Sequence, residues 1–191
     1  MACPPYPDLF DTESGIDPVN EIKSTGYSLA VTWGISEALQ FKSITAYRET
    51  DSRNWIDFDT TPLAIADSEA TYYDDQTTQE FQLLYTGSDV WDGVFGLYYF
   101  DGSAGGRVEA IFFTNFPNTT EGYVDTTSYA VYADANVRLS DKLTLNLGLR
   151  YDKNDATDQA GAKTVDDDRV SPRLSGSYDL KGDGNWVFNA S

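Results

Sequence analysis

The chain's most abundant reactive groups are carboxylates: 31 Asp and Glu stand against 13 Lys and Arg, a net charge of −18. Histidine is absent, which removes the commonest general base and the commonest transition-metal ligand. A Ser-His-Asp or Cys-His mechanism cannot be built from this chain alone. The single cysteine, Cys3, excludes an intrachain disulfide framework. Asp166-Asp167-Asp168 could offer hard oxygen ligands to a cation, although a solvated loop is the simpler reading. "DLKGDGN" (Asp179–Asn185) lacks the acidic spacing of a calcium loop and reads as a turn. "DGSAGG" (Asp101–Gly106) has no Lys-Ser/Thr end and no α/β setting, so it is no phosphate loop. Phe112, Phe113 and Phe116 cluster in a loop, where they would pack on one another or meet an apolar part of a ligand. No two carboxylates share a recognisable catalytic environment. We therefore expect no enzyme, catalytic residue, cofactor or resident metal. The acidic balance also argues against nucleic acid as a partner, because phosphate neutralisation needs surplus Lys and Arg.

The elements that would hold such residues are strands. Residues 1–22 are rich in Pro, Asp, Glu and Gly and read as loop. After them, apolar and polar residues alternate with a period of two, over about eight segments. In "LSDKLTLNLGLRYD" (Leu139–Asp152), Leu143, Leu145, Leu147, Leu149 and Tyr151 share one face; Thr144, Asn146, Gly148, Arg150 and Asp152 share the other. Similar strands are expected near Lys23–Trp33, Leu39–Glu49, Thr77–Tyr85, Trp91–Phe100, Thr126–Leu139, Val170–Leu180 and from Trp186 onward. In the second of these, Leu39 and Phe41 differ in parity from Ile44 and Ala46, so its faces are unassigned. No run approaches the ~20 apolar residues of a spanning helix.

The connections alternate in length. Short ones lie at Gly34–Ala38, from Thr86–Asp89, at Ser140–Lys142 and at Lys181–Asn185. Long acidic ones occupy Thr50–Asp75, Asp101–Asp125 and Lys153–Arg169. In an antiparallel meander this puts tight turns at one end and long loops at the other, the asymmetry of an outer-membrane barrel. Aromatics agree: Trp33, Tyr85, Trp91, Tyr178 and Trp186 lie beside the short turns, and Tyr47, Tyr99, Tyr129 and Tyr151 near the long connections. The opposite face carries Glu80, Gln82, Asn136, Arg138, Asn146, Arg150, Arg173 and Asp179.

"SITAYRE" (Ser43–Glu49), "QEFQLL" (Gln79–Leu84), "GLYYF" (Gly96–Phe100), "LTLNLGLRYD" (Leu143–Asp152) and "VSPRLSGSYDL" (Val170–Leu180) occur in the order and spacing seen in TonB-dependent outer-membrane receptors. "WIDFDTTP" (Trp55–Pro62) resembles a loop between two of these motifs. The resemblance covers the chain from about residue 20 onward. It implies a barrel of about 22 strands, an N-terminal plug in its lumen, a segment that contacts TonB, and energised uptake of a scarce nutrient, most often a ferric siderophore. Neither plug nor TonB-contacting segment is visible, and "WVFNAS" reads as a strand that stops partway. About eight strands cannot close so wide a barrel.

The fold class expected is therefore all-β: an antiparallel meander, part of a larger transmembrane β-barrel, with 1–22 as loop and 23–191 as partial barrel. The expected partners are outer-membrane lipid, the TonB system through the plug, and an iron–siderophore or similar ligand, in a Gram-negative cell's outer membrane. In that setting the glycosylation triplet Asn118-Thr119-Thr120 has no role. Leu143, Leu145, Leu147 and Leu149 should face lipid, Asn146 and Arg150 the lumen, and Ser140–Lys142 should form a periplasmic turn. The alternatives are a small outer-membrane barrel with a structural or adhesive role, and a soluble β-sandwich binding carbohydrate or calcium.

Overall fold

The structure, a computed structural model, describes residues 13–63, 65–112, 118–180 and 187–190. They contain no helix. Eight strands form one sheet in sequence order: β1 (Asn20–Gly34), β2 (Leu39–Asp57), β3 (Ala66–Tyr85), β4 (Trp91–Phe112), β5 (Asn118–Ser140), β6 (Leu143–Asp158), β7 (Lys163–Asp179) and β8 (Val187–Ala190). Strand order without crossovers is the meander expected from the short connections. Cys3, Phe113, Phe116, the Lys181–Asn185 turn and Trp186 lie outside the described residues.

The tight connections fall where the turn residues put them. Between β5 and β6, the Ser140 hydroxyl accepts hydrogen bonds from the amides of Lys142 (3.3 Å) and Leu143 (3.2 Å). The Lys142 carbonyl accepts from the Asp179 amide at 2.8 Å, which ties this turn to β7. From there β6 and β7 run antiparallel, Leu143 opposite Tyr178 and Leu147 opposite Leu174. Pro172 stands opposite Leu149, beyond the part of β7 that β8 covers, an edge position where a missing N–H is tolerated.

At the other ends the strands run well into the segments expected to be loops. β2 continues to Asp57 and β3 already begins at Ala66; β4 continues to Phe112 and β5 begins at Asn118. What remains between β6 and β7 is a short turn at 159–162, where Gly161 takes a left-handed φ of 75°. The Asp158 carboxylate closes it, accepting from the amides of Ala160 and Ala162. The reason is physical. Alternation marks a strand only while its two faces meet different media. Antiparallel pairing itself needs only backbone groups, so it continues where both faces are polar.

Tertiary contacts group the chain into two units: residues 26–48, 76–102 and 125–191, and residues 1–25, 49–75 and 103–124. Along the sequence, these divisions coincide with the points where apolar alternation gives way to acidic stretches. Within the first unit the hydrophobic side chains do not gather into a core. Leu29, Trp33, Phe95, Leu149 and Leu174 are 64%, 64%, 47%, 54% and 65% exposed. Ala130 and Ala156 are the only buried hydrophobic residues among those described. A soluble sandwich would cover this face with a second sheet.

Candidate functional site

Two faces of the first unit differ in how their side chains are satisfied. On the apolar face, rings pair across neighbouring strands: Phe41 with Phe81 (centroids 5.9 Å apart), Tyr85 with Trp91 (4.3 Å) and Tyr99 with Tyr129 (5.1 Å). The first pair assigns the faces of β2. Leu39 and Phe41 lie on the apolar face and Ile44 and Ala46 on the other. Polar groups on the apolar face neutralise one another: Gln79 accepts from the Thr45 hydroxyl (2.5 Å) and donates to the Ser43 hydroxyl (3.0 Å). A cavity of about 540 Å³ lies on this face, over Gly93, Ala133 and Ala135 and between Trp91, Phe95 and Leu149.

The polar face carries several hydrogen-bonded groups. Tyr132 of β5 reaches across Gly96 of β4 to donate to Glu80 of β3 at 2.5 Å, and Gln82 donates to both Glu80 (2.9 Å) and the Tyr132 hydroxyl (3.2 Å). Only glycine fits beneath that ring, because a Cβ at position 96 would lie 2.1 Å from Tyr132 Cζ. The Arg150 guanidinium donates to Asp152 and lies 5.8 and 5.7 Å from the ring centres of Tyr98 and Tyr132. Nearer the short turns, Asn146 donates to Asn136 (2.8 Å) and Asn136 to Asp92 (2.9 Å). Arg138 binds Asp92 and the carbonyls of Ser88 and Asp89. Arg173 pairs with Asp134. Glu80, Asn146 and Arg150 thus share the polar face expected of them, and Glu80 accepts from the Tyr132 hydroxyl. Tyr132 and Gly96 were not singled out from sequence. Their only trace there is a glycine on the polar face of a strand, between Phe95 and Leu97.

The second unit holds an acidic hairpin between β2 and β3. Carboxylate oxygens of Asp57, Asp59 and Asp67 lie within 4.8 Å of one another. Three such oxygens could contact a hard cation, but backbone groups already occupy much of their capacity. Asp59 accepts from the amides of Thr61 (2.9 Å) and Ala66 (2.7 Å), and Asp57 from those of Gly15 (3.1 Å) and Thr60 (2.7 Å). The Thr61 hydroxyl, with these amides, holds the Asp59 carboxyl below its ordinary value of 3.8. Asp67 is pushed above it, by burial first and then by the charges of Asp57 and Asp59. The cluster is built as a clasp around a turn in which Thr60 takes a positive φ of 54°. Beside it, Arg53 pairs with Glu69 at 2.7 Å and lies 4.6 Å from the Trp55 ring centre. Phe112 packs near Phe58 with centroids 6.5 Å apart.

The run Asp166-Asp167-Asp168 lies on exposed β7, facing Asp155, Asn154 and Lys153 in register. Lys163 bridges Asp155 (2.7 Å) and Asp166 (2.8 Å), so an ammonium group neutralises this cluster. It holds the Asp166 carboxyl low, and its own pKa is raised by the same contacts.

Known proteins resolve what this wall belongs to. In its general form it matches the ferric yersiniabactin uptake receptor FyuA from Yersinia pestis, with a TM-score of 0.74 at 20% identity over 86% of this chain and 27% of that one. It matches the ferric citrate transporter FecA with a TM-score of 0.65 at 14% identity, over 83% and 25% of the two chains. The copper transporter OprC gives a TM-score of 0.60 at 15% identity, over 88% and 29%. At these identities the likeness is one of fold, and the chain spans about a quarter of the length of each. No curated protein matches the sequence. The family profile described as "TonB dependent receptor-like, beta-barrel" matches residues 4–191, nearly the whole chain, and the chain belongs to that family.

Proposed function

We propose that this chain forms part of the transmembrane wall of an outer-membrane, TonB-dependent receptor that takes up a scarce nutrient, a ferric siderophore. One observation carries the reading beyond family membership. An apolar face stays exposed with no core to cover it, while the opposite face satisfies its own polar groups. That inversion suits a wall between lipid and a hydrated lumen. In this reading Leu143, Leu145, Leu147 and Leu149 face lipid, and Asn146, Arg150, Glu80 and Tyr132 line the lumen. Ser140–Lys142 turns on the periplasmic side, and Tyr151 sits near the outer interface. The wall performs no covalent chemistry. It holds the lumen open, and energy reaches the ligand through a plug driven by TonB. The iron cargo is favoured because the receptors of similar fold include those for ferric yersiniabactin, ferric preacinetobactin and ferric catecholates. The test is uptake of radioiron-labelled siderophores by cells carrying or lacking the complete receptor gene, in TonB-positive and TonB-negative backgrounds. The reading expects uptake that needs both. Equal uptake without the receptor, or without TonB, contradicts it.

A further inference from the structure

On the polar face of β1–β3, a cavity of about 280 Å³ is lined by Gly26, Ser28, Arg48, Gln76 and Thr78, with Tyr27 and Tyr47 at its margin. It lies wholly within the first unit. The other arginines show what is unusual about it. Arg53, Arg107, Arg138, Arg150 and Arg173 each pair with a carboxylate. Arg169 stands directly opposite Asp152 in the β6–β7 register. Arg48 has no ion-pair or hydrogen-bond partner among the described residues, although the chain carries 31 acidic groups. A guanidinium is a planar fork of five donors, matched to a carboxylate or phosphate edge. Around it the cavity adds the Ser28 and Thr78 hydroxyls and the Gln76 carboxamide, all able to donate. Gly26 leaves room, since a Cβ there would meet only the Tyr47 carbonyl, at 3.5 Å.

We propose that this cavity is an anion subsite in which Arg48 binds the carboxylate of a small molecule that carries little net charge. The class follows from the charge of the lining. The cavity's lining offers a single charge, Arg48, among neutral residues, so it matches one carboxylate rather than a polyanion. A lone carboxylate on a neutral or aromatic body gains a charge-assisted, two-pronged hydrogen bond at modest cost. The subsite deepens the uptake reading by naming a chemical feature of the cargo, and rests on that reading for the carboxylate's source.

The experiment titrates benzoate, and separately inorganic phosphate, into the full-length receptor in detergent micelles, followed by ligand-observed NMR. Wild type should bind benzoate more tightly than phosphate. Arg48→Gln should weaken benzoate binding about tenfold or more, Arg48→Lys less, and Gly26→Val should block it by filling the cavity. Circular dichroism shows whether each variant keeps its strands. Absence of benzoate binding to wild type, or equal binding by Arg48→Gln, overturns the proposal, as does phosphate binding more tightly than benzoate. The two readings fail separately. Arg48-dependent binding without siderophore uptake sinks the cargo assignment, and uptake with Arg48-independent binding sinks the subsite.

Discussion

At the residue scale, function depends on how polar groups are satisfied on a face that in this reading is hydrated but shared with other protein. Tyr132 is the keystone of one hydrogen-bonded group there, because it links β3 and β5 over the backbone of β4. Gly96→Ala should displace its ring and destabilise the folded receptor by about 1–3 kcal/mol, the usual cost of overpacking. Tyr132→Phe keeps the ring and loses its hydrogen bonds, and should cost about 1 kcal/mol. Urea titration of the two variants in micelles checks the order. The acidic hairpin gives a pH prediction with a definite sign. The Asp67 carboxyl is raised above 3.8, so its ionised form opposes folding. That cost is absent below pH 3.8 and fully present above the raised value. Asp59 is lowered, so it contributes stability above 3.8 that is lost as pH falls through its folded value. Asp67→Asn should therefore slow hydrogen exchange of the Phe58 amide, which donates to the Ala66 carbonyl across the hairpin, at pH 7. Near pH 3 the two proteins should exchange alike.

At the scale of elements, the sequence was legible wherever two media meet a strand. The turn at Ser140–Lys142 and the ends of β3, β4 and β6 beside the short connections stand where turn chemistry and alternation placed them. The far ends of β2–β7 were not legible, because residues such as Asp51–Asn54 and Asp74–Gln76 are polar on both faces and leave no period to read. The faces of β2 were equally hidden, since apolar residues occupy both. Only Phe41 against Phe81, on the next strand, assigns them. The candidate site was legible in part. Glu80, Asn146 and Arg150 could be placed on one face, but the bridge from β5 to β3 depends on which strands lie two apart. Arg48 drew no notice because its distinction, a missing partner, exists only in three dimensions. The face assignment predicts unequal substitutions. Leu147→Arg on the apolar face should cost about 2–4 kcal/mol in a bilayer if it lies near the midplane. Thr144→Arg, on the opposite face of the same strand, should cost far less. Folding equilibria in phospholipid vesicles measure both.

At the scale of the whole molecule, the sheet is a stretch of wall whose apolar surface and strand edges need partners. Taken alone in water, residues 1–191 should associate through both, despite a net charge that favours solubility. Detergent should suppress this, as seen by light scattering with and without micelles. The comparison is informative because a soluble sandwich would remain monomeric in both. The central claim is that one face of this sheet meets lipid and the other does not. It is tested most directly by spin labels placed singly at residues 143–151 of the full receptor in bilayers, measuring collision with oxygen and with a water-soluble nickel chelate. The account predicts a period of two, with oxygen favoured at 143, 145, 147 and 149 and oxygen contact falling at 144, 146, 148 and 150. The same oxygen contact at both sets of positions, or the opposite alternation, would contradict it.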